Sequence, residues 1–180
     1  MKVVAIVGMA GSGKSEVSKV FENHGYIRVR FGDITDEEMK KRGLPPSEAS
    51  ERIVRESLRK EHGMVAYAKL NLPKISAALE RSNVVCDGLY SWEEYLFLKD
   101  FYKDQFCCVA VWAAPQVRYQ RLLARAKRGL TLAEAASRDK SEIENINKGG
   151  PIAMADDTVL NCSSLEDLQR SVERMMSVEL

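Results

Sequence analysis

The stretch Gly8-Met9-Ala10-Gly11-Ser12-Gly13-Lys14-Ser15 constrains this chain more than any other. It fits G-x-x-x-x-G-K-[ST], a pattern whose glycine-rich backbone cradles phosphates. The pattern is short, so its flanks decide. Upstream, Val3-Val4-Ala5-Ile6-Val7 is a β-rich apolar run that reads as a fully buried strand. Downstream, Val17, Val20 and Phe21 recur at helical spacing, and Gly25 stands where a helix stops. Strand, glycine turn, helix is the context that the pattern requires. Gly8, Gly11 and Gly13 let the backbone come close to a ligand. The whole loop, Met9, Ala10 and Ser12 included, then forms an anion nest at a helix N-terminus. Lys14 supplies a point charge for the terminal phosphates, and the Ser15 hydroxyl is a hard oxygen ligand for Mg²⁺. The expected cofactors are ATP and Mg²⁺.

A second feature is needed to sort the chemistry. Asn83-Val84-Val85-Cys86-Asp87 reads as a strand ending in a carboxylate, where ligands of parallel sheets collect. Asp87 is placed to meet Mg²⁺ directly or through water. Gly88 follows it, where hydrolytic motors commonly carry a glutamate, which leans away from hydrolysis. Asn147-Lys148-Gly149-Gly150 approaches the guanine-reading Asn-Lys-x-Asp string, but it ends in glycine and follows no strand. Guanine specificity is rejected on that ground.

The rest of the chain alternates strand and helix, which implies a mostly parallel sheet covered on both faces. Strands are expected over Lys2–Val7, Ile27–Phe31, Asn83–Asp87, Phe106–Trp112 and Thr158–Leu160. The 180 residues suffice for a single well-cored domain. The gap between the second and third strands exceeds a simple crossover, so a helical cap is expected as an insertion over about 34–81. Capping-box spacing marks helix starts at Ser91, Thr131 and Ser163. Leu165, Leu168, Val172 and Met176 form one packing stripe on the last helix. A net charge of +1 and no basic-aromatic strip argue against a nucleic-acid partner, and no apolar run reaches membrane-span length. The chain enters a strand at once, so no signal peptide is expected. The four cysteines, Cys86, Cys107, Cys108 and Cys162, then read as reduced thiols in the cytoplasm.

Arginines cluster late. Arg118, Arg121, Arg125 and Arg128 fall on one face of a helix expected from about Gln116 to Arg128. Gly129 breaks that helix and Thr131 opens the next, which carries Arg138. Two helices joined through a glycine, with arginines on both, read as a closing lid over about 125–148. A solvated basic face explains Arg118 and Arg128 equally well. Arg52, Arg55 and Arg59 share a face inside the cap. Glu51, Glu56 and Glu61 lie close enough to make that face a salt-laced surface, the alternative being contacts to an acceptor phosphate.

Taken together, the phosphate loop, the inserted cap, the Asp-Gly strand end and the late arginines resemble the small-molecule kinases of the nucleoside monophosphate kinase superfamily. Phe31-Gly32-Asp33 and Cys86-Asp87-Gly88 resemble strand ends of adenylate kinases. Arg121, Leu122, Arg125, Arg138 and Ala155-Asp156-Asp157-Thr158-Val159-Leu160-Asn161 follow the order seen in dephospho-CoA kinases. The Gly-Met-x-Gly-Ser-Gly-Lys-Ser-Glu start, which ends at Glu16, resembles an archaeal adenylate-kinase-related family. The resemblance implies a three-layer α/β/α P-loop NTPase fold with a five-stranded parallel sheet, an inserted helical acceptor cap and an arginine-rich lid. It implies nucleotide contacts from Glu16 and Asn161, and γ-phosphate contacts from Arg125 and Arg138. If the acceptor is a hydroxyl, Asp33 takes its proton; if it is a phosphate, Asp33 fixes the loop or a metal water.

This sequence departs from adenylate kinases in two places. Asp36 stands where they hold the acceptor phosphate with an arginine, and Leu89 to Trp92 lack the arginine that follows their Asp-Gly. The implied activity is transfer from Mg·ATP to a small nucleotide-like acceptor, dephospho-CoA first. The alternatives are a nucleoside monophosphate kinase, or a nucleotide-binding regulator without efficient transfer. The acceptor and the oligomeric state stay open.

Overall fold

Alternation along the first strand sets up the architecture. In the computed structural model, which describes residues 1–126 and 129–179, β1 (Val3–Val7) is buried along its whole length. Val3, Ala5 and Val7 enter one apolar layer, while Val4 and Ile6 enter another. Successive side chains of a strand point to opposite faces, so such a strand needs helices on both sides.

The chain continues through α1 (Lys14–Asn23), β2 (Ile27–Arg30), α2 (Asp33–Lys41), α3 (Glu48–His62), α4 (Ala66–Leu79), β3 (Val84–Asp87) and α5 (Trp92–Tyr102). It then forms β4 (Phe106–Trp112), α6 (Pro115–Leu123), α7 (Leu132–Glu144), α8 (Gly149–Ala153), β5 (Asp157–Leu160) and α9 (Leu165–Glu179). All strand pairings are parallel and the sheet order is β2-β3-β1-β4-β5. Every strand ends within one residue of its expected bounds. The α1–α9 layer packs Val17, Val20, Phe21, Leu168 and Val172 against one face, and α4, α5 and α8 cover the other. This is the three-layer α/β/α fold. Among the described residues no helix is long and apolar enough to cross a membrane.

The stretch expected as a cap divides in two. Tyr67, Ala68 and Ile75 of α4 are fully buried against the sheet, so α4 is the crossover helix and α2 with α3 projects above it. Thr35 and Tyr67 hydroxyls, 2.6 Å apart, tie α2 to α4.

Three expectations about helices need correction or adjustment. The helix expected to reach Arg128 ends at Leu123. The chain doubles back there, with the Leu130 N–H donating to the Leu122 carbonyl at 3.1 Å. Arg125 therefore lies beyond α6, and Arg128 lies outside the described residues. The cap of the last helix is Ser164 rather than Ser163, with the Asp167 N–H donating to Ser164 Oγ at 3.1 Å. On that helix Met175 is buried and Met176 half-buried, while Leu165 is exposed. The capping boxes at Ser91 and Thr131 form as the spacing predicts.

Candidate active site

The phosphate loop runs from the end of β1 into α1, and its glycines carry the strain. Gly8, Gly11 and Gly13 have φ of 153°, 79° and 103°, a region that side chains disfavour. The close approaches are equally restrictive. A Cβ on Gly11 would come 2.7 Å from the Arg118 carbonyl oxygen, and one on Gly13 would come 2.1 Å from the Asn161 amide nitrogen.

The loop is held from outside by two buried side chains. Asn161 Nδ2 donates to the Ser12 carbonyl at 2.7 Å, and Arg118 donates to the Ala10 carbonyl at 3.1 Å. Fixing outward carbonyls leaves the inward N–H groups oriented before a ligand arrives. Lys14 Nζ rests on the carbonyls of Gly8 and Met9, at 2.8 and 3.1 Å. Burial, and after it the Lys148 ammonium, pulls the Lys14 ammonium down to about 7. A cavity of about 390 Å³ opens beside the loop, and Lys14, Ser15, Glu16, Arg121, Arg125 and Asn161 contribute to its wall.

The metal corner joins α1 to β3. Ser15 Oγ donates to Asp87 Oδ2 at 3.2 Å, and Asp87 is buried. Two adjacent hard oxygens fit Mg²⁺. Nothing local in the sequence marks Arg28, whose guanidinium also meets Asp87 Oδ2, at 2.5 Å. Arg28 and Asp87 come from neighbouring strands, so only the pairing of β2 with β3 brings them together. A second carboxylate, Glu22, lies 3.7 Å from Arg28.

At the end of β2, Arg30 donates to Asp33 at 2.7 Å and to Asp36 at 2.9 Å. The two acidic groups therefore share one guanidinium. The loop after β3 carries Tyr90 back over the same corner. A Cβ on Gly32 would lie 3.3 Å from the Tyr90 hydroxyl. Tyr67 packs edge-on against Tyr90 with centroids 5.1 Å apart. Glu94, fully buried, accepts from the N–H groups of Tyr90 and Ser91 at 2.9 and 3.3 Å. Burial lifts its carboxyl to about 7.

The arginine face of α6 is not what its spacing predicts. Arg118 is 4% exposed and forms a bidentate pair with Asp139 at 2.9 and 2.6 Å. This overturns a solvated basic face at Arg118. Its partner lies on α7, distant in sequence, and nothing local marks it. Arg121 turns to Asn161, donating to its carbonyl at 3.0 Å and to its side-chain oxygen at 3.2 Å. Arg125 lines the cavity, whereas Arg138 is bonded to Glu142 at 3.2 Å and Glu48 at 3.4 Å. In the cap, Arg52 and Arg55 are taken up by Glu56, Glu48 and Glu51, as the salt-laced reading expects. Arg59 has no such carboxylate among the described residues, and lies over the Tyr67 ring.

Lys148, read from the sequence only as part of a rejected guanine-reading string, is a further buried charge. It is 1% exposed, and its Nζ lies 2.8 Å from Glu142. Against the cost of burial, Lys148, Arg138 and Lys14 hold Glu142 down at about 2. Gly150 lets this segment lie flat on Trp92, since a Cβ there would come 2.7 Å from the indole. The visible signals were Glu142 four residues after Arg138 and a lysine before two glycines, both ordinary on a surface.

Known proteins agree with this architecture. The family described as AAA domain matches residues 4–147. A UPF0200 protein of Thermococcus gammatolerans is 37% identical over 178 residues, covering 97% of this chain and 93% of the relative. One from Thermococcus kodakarensis is 38% identical, covering 97% and 96%. Among solved structures, TT1252 from Thermus thermophilus superposes with a TM-score of 0.64 at 22% identity, covering 99% and 98% of the two chains. The shikimate kinase from Acinetobacter baumannii in complex with shikimate gives 0.61 at 15% identity, covering 100% and 96%. A dephospho-CoA kinase from Campylobacter jejuni gives 0.56 at 12% identity, covering 98% and 96%. At those identities the likeness is one of fold. With a P-loop kinase-like fold and relatives matched over nearly their whole length, the chain belongs to the AAA domain family and to the UPF0200 proteins.

Proposed function

We propose that the protein is an ATP-dependent phosphotransferase that moves the γ-phosphoryl group of Mg·ATP to a hydroxyl of a small nucleotide-like acceptor, with dephospho-CoA the first candidate. The observation that carries this reading is the pair Asp33 and Asp36 at the mouth of β2, both bonded to Arg30. That corner offers carboxylates to the acceptor, which accept from a hydroxyl and repel a phosphate.

The reading gives each residue a role. Lys14, with Arg125 and Arg138, stabilises charge on the transferred group. Ser15 and Asp87 would hold Mg²⁺, which neutralises the phosphate oxygens when bound. Gly8 to Ser15 hold the polyphosphate, while Glu16 and Asn161 border the nucleotide cavity. The acceptor oxygen forms a bond to the γ-phosphorus as the bond to the β-phosphate oxygen breaks. The hydroxyl proton passes to Asp33, and ADP leaves. Arg30 fixes the direction of the Asp33 carboxylate.

ADP release from Mg·ATP, measured against dephospho-CoA, AMP, CMP, UMP, nucleosides and shikimate, tests the reading. One hydroxyl acceptor is expected to raise turnover well above the acceptor-free rate, and Lys14→Ala to remove it. The Arg28 contact to Asp87 favours a second reading, a nucleotide-binding regulator, because it sets a cation against the metal corner. A flat panel from a protein that binds ATP would select the regulator.

A further inference from the structure

The cap side of the crevice holds cations that transfer to a bare alcohol does not use. The Arg59 guanidinium lies 5.4 Å from the centroid of Tyr67, and Lys148 Nζ lies 5.3 Å from the centroid of Tyr90. Since the two rings meet edge-on, one cation brackets each end of an aromatic pair. Each ring face attracts a cation, but only modestly.

Neither cation is fully matched. Lys148 is buried and shares its carboxylate, Glu142, with Arg138. Arg59 Nε is buried and has no hydrogen-bond partner among the described residues. The nearby carboxylate does not supply one. Glu94 spends Oε2 on two backbone N–H groups. An orphaned buried donor carries a real penalty, which a ligand oxygen would remove.

The location is that of an acceptor. The Tyr90 hydroxyl would lie 3.3 Å from a Cβ on Gly32 and 3.5 Å from one on Gly88. Those glycines end β2 and β3, directly before Asp33 and after Asp87. Arg59 and Lys148 lie within electrostatic reach of each other, the Arg59 charge disfavouring that of Lys148.

We propose that Arg59 and Lys148 form an oxyanion subsite, so that the acceptor carries a carboxylate or a phosphate besides its reacting hydroxyl. The word acceptor rests on the phosphotransferase reading, but anion binding at this subsite does not.

The test uses the intact protein with its phosphate loop filled by Mg·AMPPNP. Inorganic phosphate and acetate are titrated separately by calorimetry, with ionic strength held constant by chloride. Saturable binding of at least one anion is expected. It should weaken by at least about tenfold in Arg59→Met and in Lys148→Met. Lys148→Met leaves Glu142 with Arg138 alone and can fail to fold; Arg59→Met, at a half-buried position, keeps the test decisive, and thermal unfolding reports on both. A preference for phosphate or for acetate identifies the acceptor's anionic group. No saturable binding of either anion to the wild type, or wild-type binding in folded Arg59→Met, overturns the proposal. Saturable anion binding beside a flat ADP-release panel keeps the subsite and removes the kinase reading.

Discussion

Around the phosphate loop, the groups that face the crevice are main-chain N–H groups and Lys14 from one continuous stretch. Around Tyr90 the charged groups are side chains from α3, α7 and the residues before α8, brought together only by the fold. The first half is fixed by backbone conformation, which glycines and two clamping side chains impose. The second half is fixed by charge, with Glu142 holding Arg138 and Lys148, which would otherwise repel. A backbone site is local and robust to distant change. A side-chain site depends on every element that delivers a charge.

The backbone half is not wholly local, because Arg118 reaches it from α6 and is itself pinned by Asp139. Replacing Arg118 with Met strips the buried Asp139 carboxylate of its cation, leaving it the Tyr119 hydroxyl, and frees the Ala10 carbonyl. A loss of about 3–5 kcal/mol is expected in urea unfolding. A loss below about 1 kcal/mol would show that the loop holds its shape without the clamp.

Next in size, Lys14→Ala should lower kcat by about 10²–10³-fold while the acceptor KM changes little. A change confined to the acceptor KM would move Lys14 to the other half of the crevice.

Proton linkage sharpens the boundary between the halves. Lys14 sits at about 7 in the free protein, against an ordinary 10.5. A polyphosphate restores its charge, so nucleotide binding at pH 8 should take up close to one proton. Binding at pH 6, where Lys14 is already charged, should take up almost none. Affinity should then fall by about tenfold per pH unit above pH 7 until the bound-state pKa is reached. Calorimetry in two buffers of different ionisation enthalpy reads the uptake directly, and no buffer dependence at pH 8 would contradict it. For stability the sign is opposite to that of a stabilised cation. The folded state binds fewer protons between about 7 and 10.5, so this group makes stability rise with pH across that window.

The smallest effect concerns the metal corner. Arg28→Leu removes a cation from Asp87, and Mn²⁺ should bind the nucleotide-free protein about threefold more tightly by electron paramagnetic resonance. Unchanged or weaker binding would mean that Arg28 does not compete with the metal.

The sequence disclosed these halves unequally, and for the same physical reason. Gly8, Gly11, Gly13, Lys14 and Ser15 act within one turn of chain, so their spacing carries their geometry. Asp87 was legible because a strand end before glycine has only one place in such a sheet. Thr131 with Glu134, and Ser91 with Glu94, were legible because a cap is local. Arg118 was not, since helical spacing alone turns it toward solvent and its partner lies on α7. Arg28 needed the β2–β3 pairing, and Lys148 needed the fold of the whole α7–α8 segment. The end of α6 at Leu123 was missed because leucines and arginines continue a helical pattern where the chain in fact turns back to Leu130.

The most direct test of the central claim follows the label from [γ-³²P]ATP in the presence of dephospho-CoA, with Asp33→Asn alongside. The account predicts label on an acceptor hydroxyl, Lys14-dependent and reduced by about 10²-fold or more in Asp33→Asn. Label found only as inorganic phosphate, at a rate indifferent to the acceptor and to Asp33, would contradict it.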